Sequence, residues 1–294
     1  MITTITTIMT ITAATANPKE RDMSDATSKQ HPWHLVDPSP WPIVGAFAGL
    51  TMAVGGIIYM HTHFIWLFLV GVLILLFTFY VWWRDVINEA VVRGDHTAAV
   101  RTGLRIGMLL FIASEVMFFF AFFWAYFHSS LPILSRVANI WPPPTIETLE
   151  VWDIPFLNTL ILLTSGATVT VAHHAIIEGQ QDKVVRYTAI TVILGFVFLG
   201  FQAYEYSHAA FGLGDGIYPS TFFLATGFHG FHVFIGASFL TVCFFRARKG
   251  HFKPDQHVGF EAAAWYWHFV DVVWLFLFVN IYWWGSSSLG HLKP

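Results

Sequence analysis

The chain has 294 residues, a formal net charge of −3, 11% charged residues and 55% hydrophobic ones. A charged fraction near 25% is usual for soluble domains, so this composition excludes an ordinary water-soluble fold, and the small net charge argues against a nucleic-acid partner. The single cysteine, Cys243 in an apolar run, excludes a disulfide framework or a multi-cysteine metal centre and reads as a buried, inert thiol.

Residues 1–22 resemble nothing that follows, and the extension they open is bounded at residues 1–30. Met1 to Asp22 is Thr- and Ile-rich, and no Lys or Arg precedes its apolar part. That pattern argues against a signal peptide. A disordered or mis-annotated extension is expected, with translation beginning at Met1 or at Met23.

Seven apolar segments then follow, at about 41–60, 64–83, 106–127, 154–177, 187–204, 220–245 and 262–284. Crossing a bilayer takes about 20 apolar residues, and lipid offers the backbone no hydrogen-bond partner. The runs lack the two-residue alternation of a membrane barrel, so each is predicted to be a transmembrane helix. The first two are joined by His61 to His63 and form a tight hairpin. A longer polar stretch from Arg84 to Arg105 separates them from the other five, which suggests a two-plus-five arrangement. Gly45 with Gly49, and Gly103 with Gly107, have the spacing that permits close helix contact. Residues 287–294 are expected to be a short outside tail. Of the 15 Lys and Arg, only Arg136 and Lys293 fall on the side opposite the N-terminus. The positive-inside rule therefore places the N-terminus inside and the C-terminus outside.

Glu115 lies about midway along an apolar segment, where an ionisable group is costly and marks a functional hypothesis. It is either a proton carrier or a hydrogen-bond partner of His229 or His232. The last segment carries Glu261, His268 and Asp271 at i, i+7 and i+10, predicted to form one polar stripe facing other helices. The 15 histidines include His173 with His174, and His229 with His232. Imidazoles at such spacings can bind copper or haem iron. Hydrogen bonding between helices is the favoured alternative, because no complete ligand set is evident. Trp82, Trp83, Arg84, Asp85, Glu89 and His96, with Arg246 and His251, read as an interfacial belt able to meet lipid phosphate. The Gly-rich stretch at 212–216 follows no strand and is rejected as a phosphate loop.

The motifs together resemble one family, subunit III of the haem–copper cytochrome c oxidases. They are HPWHLVDPSPWP at 31–42, WWRDV at 82–86, SEV at 114–116, FFWAYFHSSL at 122–131, AHH at 172–174, TGFHGFH at 226–232 and the Trp-rich run at 259–284. The resemblance covers about 30–286. It implies an all-α membrane protein of seven transmembrane helices, two plus five, with a V-shaped cleft holding phospholipid. It further implies a non-catalytic accessory subunit that stabilises catalytic subunit I and also partners subunit II. Such a subunit supports sustained turnover and proton uptake, and meets cytochrome c or quinol only through the complex. Haem and copper would reside in the partner subunits, leaving no metal or catalytic residue here. The family's membrane carboxylate falls on Glu115, and its lipid contacts on Trp82, Glu89, His96, Arg246 and His251. The chain departs from the pattern at residues 1–22, at 212–220 and at Asp255 with Gln256.

Two other readings compete. A proton-coupled transporter would use Glu115, His229, His232 and Asp271, although no internal repeat supports it. A haem-binding membrane enzyme would need axial sites that are incomplete. A bacterial cytoplasmic membrane, with a periplasmic C-terminus, is preferred over the mitochondrial inner membrane because of the N-terminal extension.

Overall fold

The computed structural model describes residues 33–131 and 141–286. The expected N-terminal extension, Arg136 and the tail at 287–294 lie outside the described residues. Among the described residues, seven long helices follow in order: α1 (Trp41–Thr62), α2 (Trp66–Asn88), α3 (Ala98–Ser130), α4 (Ile154–Ile177), α5 (Gln181–His208), α6 (Ile217–Arg248) and α7 (Val258–Leu277). All seven are long and apolar enough to cross a membrane. Two π-turns, Glu89–Arg93 and Phe278–Trp283, extend α2 and α7.

Most helices run past the apolar segments read from sequence. α3 begins at Ala98 rather than 106, α5 at Gln181 rather than 187, and the helical run begun by α2 continues through the π-turn to Arg93 rather than stopping at 83. Hydropathy marks the stretch in hydrocarbon, whereas the helical hydrogen-bond ladder continues into the polar headgroup region with residues such as Arg84 and Arg101. The first connection likewise shifts from 61–63 to 63–65. His63 adopts a left-handed φ of 59° and donates its N–H to the Tyr59 carbonyl, ending α1.

The chain divides into two compact units at Gly103 and Leu104, within α3. In the first unit, α1 and α2 pack as a hairpin through glycines other than those singled out by spacing. Gly55 lies against the backbone of Leu67 and Phe68, and Gly71 against that of Met52. No neighbouring atom lies within 4 Å of a side chain built at Gly49, Gly103 or Gly107. A four-residue spacing puts two glycines on one face. Which face meets a partner is set by the register that the turn imposes.

The second unit is centred on α7, the most buried of the spans, while its α3 portion belongs to the least buried one. Trp267 and Trp274 on α7 are wholly enclosed. Their indole N–H groups donate to Ser165 and Thr159 of α4, each at 2.9 Å. The rings thus bury large apolar surface while their polar edge stays satisfied. Gly195 and Gly236 make room for Trp267, since a Cβ at either would come within 2.6 and 2.8 Å of its ring. Cys243 is fully buried, as expected of an inert thiol.

Candidate functional site

Within the second unit, Glu115 of α3 meets His232 of α6 at 2.7 Å, Oε2 to Nε2. The other imidazole nitrogen, Nδ1, lies 2.6 Å from the Phe228 carbonyl, one turn earlier on the same helix. A carbonyl only accepts, so Nδ1 carries a proton and donates to it. Nε2 then either accepts from a neutral Glu115 carboxyl or donates, as imidazolium, to a carboxylate. The pair is net neutral in both forms, which suits its place in a membrane span. Phe119, 4.8 Å from the His232 ring by centroids, and Phe118 flank it and hold the imidazole between aromatic faces.

His229 does not join this pair. Both of its ring nitrogens are buried without a hydrogen-bond partner, and its ring packs on Trp274 at 5.2 Å and Phe198 at 5.7 Å. A spacing of three residues turns it toward α5 and α7 instead of α3. The twin histidines also diverge, with His174 exposed and His173 meeting His257 edge to face at 5.3 Å.

The single polar stripe expected on α7 is divided between two neighbours. Glu261 accepts from Arg105 of α3 at 2.7 Å. His268 instead bonds Thr170 of α4 at 3.0 Å and Asp271 at 3.2 Å. Glu261 and His268 share nearly one azimuth but stand about 10 Å apart along α7, so each meets whichever helix passes at its own height.

Sequence reading missed Glu205, which falls one residue beyond the apolar segment ending at 204. The helix continues to His208 and carries Glu205 into the core, 3% exposed. Its carboxyl accepts from Tyr282 at 2.7 Å and from Gln202 at 3.2 Å. A Gln at i and a Glu at i+3 ahead of a C-terminal Tyr is too common a pattern to have marked it.

Of the residues expected to meet lipid, Trp82, Glu89 and His96 lie toward or beyond the C-terminal end of α2, and Arg246 and His251 at that of α6. In the first unit Trp82 is exposed, while Glu89 and His96 are half-buried. His96 is held below the ordinary histidine value by burial and by the charges of His34 and Arg101, against the opposing pull of Glu89 and Asp95. In the second unit Arg246 stacks over Phe252 at 4.5 Å, and its Nε is buried with no partner among the described residues. His251 Nδ1 is likewise unpartnered. Burial, then the charges of Arg246 and Lys249, lower the His251 pKa. Both histidines are therefore neutral near pH 7 and offer hydrogen bonds, and the fixed positive charge comes from Arg246.

One grouping able to hold a metal was not read from the sequence. His34, Glu89 and His96 bring one ligand atom each to within 4.8 Å of the others.

Fold and site define a polytopic helical membrane protein whose interior is closed by ionisable side chains paired across helices. The sequence model of the cytochrome c oxidase subunit III family matches residues 31–286. Cytochrome c oxidase subunit 3 of Arabidopsis thaliana is 59% identical over 261 residues, covering 88% of this chain and 98% of that protein. Those of Marchantia polymorpha (58% over 264 residues, 89% and 100%) and Carassius auratus (55% over 256 residues, 87% and 98%) are similar throughout. The chain belongs to the cytochrome c oxidase subunit III family, and is an accessory subunit of an oxidase assembly.

Proposed function

We propose that this subunit performs no redox chemistry itself, and instead stabilises the catalytic subunit I, contacts subunit II, and sustains turnover and proton uptake. Haem and copper are assigned to those partners, and cytochrome c or quinol to the complex as a whole. The observation that carries this reading is the pairing of the membrane carboxylates. Glu115 meets His232, Asp271 meets His268, and Glu205 meets Tyr282 and Gln202. The Glu115 and Glu205 pairs each join separate helical elements, and the His268 that meets Asp271 also bonds Thr170 of α4, an arrangement that favours cross-linking the bundle over relaying protons along it.

The second part of the proposal is phospholipid binding. Trp82, Glu89 and His96 in one unit, and Arg246 and His251 in the other, are assigned to headgroups. Buried, unpartnered nitrogens on Arg246 and His251 support it, because such groups are costly unless a ligand or water meets them. Arg246→Gln in the assembled oxidase should remove a charge-assisted bond worth about 1.5–3 kcal/mol, lowering headgroup affinity of order tenfold or more. Lipid analysis of the purified complex should then show less phospholipid. Its first turnovers should run at the normal rate and activity should decay sooner. Unchanged lipid and an unchanged activity lifetime would count against the site, and a loss of initial oxygen reduction against the accessory role.

We assign the N-terminus to the inner, positively flanked side. The membrane is an energy-coupling one. The plant, algal and fish relatives support the mitochondrial inner membrane over the bacterial cytoplasmic one. Reporters placed after Lys29 and Lys249 should label from the inside, and those at Pro143 and after Lys293 from the outside. An outside signal at Lys249 would overturn the topology.

A further inference from the structure

At the Glu89 end of the α1–α2 unit, the two residues assigned to headgroups, Glu89 and His96, are joined by a second imidazole, that of His34. The π-turn Glu89–Arg93 ends at Gly94, whose φ of +70° favours glycine. Gly94 and Asp95 both donate their backbone N–H to the Glu89 carbonyl, Asp95 at 3.0 Å. The chain is thereby folded back so that His96 returns beside Glu89. His34 arrives from the segment ahead of α1. That segment is clasped to the same end by Arg93 on Asp37 at 3.0 Å and by the Trp41 indole on Asp85 at 2.8 Å. The His34 and His96 rings lie 6.1 Å apart by centroids, and Asp95 stands 3.6 Å from His34 Nε2.

We propose that His34, Glu89 and His96 form a divalent-cation site of the zinc type. Two imidazoles and one carboxylate are a donor set suited to Zn²⁺, with a fourth position left for water. Mg²⁺ and Ca²⁺ demand more oxygen ligands than the cluster supplies. The Glu89 carboxylate and the His96 ring have no hydrogen-bond or ion-pair partner within the 4 Å ion-pair reach among the described residues, so their lone pairs are free to ligate. The two nearby arginines are turned elsewhere, Arg93 to Asp37 and Arg101 to the His96 carbonyl at 2.8 Å. Donors on a tetrahedral zinc with bonds of about 2.0–2.1 Å sit about 3.3 Å apart. The half-buried donors already lie within 4.8 Å of one another, so each separation has at most about 1.5 Å to close on a bound zinc. Asp95 faces His34 Nε2 at 3.6 Å, so a zinc held through Nδ1 would have a carboxylate behind that imidazole.

The test uses the intact oxidase complex, stripped with a chelator and dialysed against Zn²⁺ alone. Wild-type complex should retain one more zinc than complexes carrying His34→Gln, Glu89→Gln or His96→Gln, while His128→Gln should retain the full number. Assembly is checked by the haem spectrum. X-ray absorption on the wild type, which needs no variant to fold, should show a class of zinc with two imidazole ligands that is missing from the variants. Because Glu89 and His96 are also assigned to headgroups, the wild type is delipidated in parallel, and the zinc should stay. Equal zinc in all complexes, no variant-sensitive imidazole shell, or zinc lost with the lipid would each overturn the proposal.

Discussion

Gly71→Leu is expected to abolish accumulation of the subunit, while Gly49→Leu on the partner helix leaves it near normal. A Cβ at Gly71 would stand 2.5 Å from the Met52 nitrogen and 2.8 Å from its Cα. Neither atom can swing aside as a side-chain terminus would. Overpacking against side chains typically costs about 1–3 kcal/mol. Against backbone the helices must separate, and in lipid no hydrophobic drive recloses them. α1 and α2 are linked by three residues and meet at Gly55 and Gly71, so parting at one crossing disturbs the other. At Gly49 a side chain meets nothing within 4 Å. The measurement is subunit abundance in membranes by quantitative mass spectrometry. Equal abundance of the two variants would show that the hairpin does not pack in this register.

Glu115→Ala is expected to weaken the second unit, and Glu115→Gln to change little. His232 Nδ1 is committed to the Phe228 carbonyl, so Nε2 needs either an acceptor or a donor opposite it. A glutamine amide N–H can donate to a neutral Nε2 at nearly the same length, preserving the α3–α6 link. Alanine leaves Nε2 unpartnered on a residue whose side chain is 8% exposed, and opens a small cavity. The cost is roughly 1–3 kcal/mol, read as a lower midpoint of thermal subunit loss. Initial oxygen reduction by the assembled complex should survive in both variants, with activity lifetime shortened in alanine. A proton carrier would behave differently, because an amide cannot cycle a proton. Immediate loss of oxygen reduction in a fully assembled Glu115→Gln complex would refute the structural role.

The two predictions rest on information of different kinds. That seven helices cross a membrane, and that Glu115 lies within one, follows from the chain read locally. Hydrocarbon thickness and backbone hydrogen bonding act on each segment separately, and twenty apolar residues meet both demands whatever packs beside them. The family motifs likewise stand in the residues themselves. Helix ends were less legible, because hydropathy falls at the headgroups while the helical ladder does not, and Glu205 was lost from view for that reason.

Pairings were decided only in three dimensions. Glu115 had two histidines within reach on α6, and the rotation of α3 against α6 selects His232 and leaves His229 to Trp274. The α7 stripe is shared between Arg105 and Thr170 because Glu261 and His268 lie two turns apart along the helix and meet different neighbours at the two heights. Gly55 and Gly71 displace Gly45 and Gly49 at the hairpin crossing because a three-residue turn sets its register. His34 reaches Glu89 and His96 because a π-turn and a left-handed glycine reverse the chain at the end of α2. Composition and hydropathy are summed along the chain, so they establish what each segment is. Contacts between distant residues depend on helix rotation and turn geometry, and these emerge only when the segments pack together.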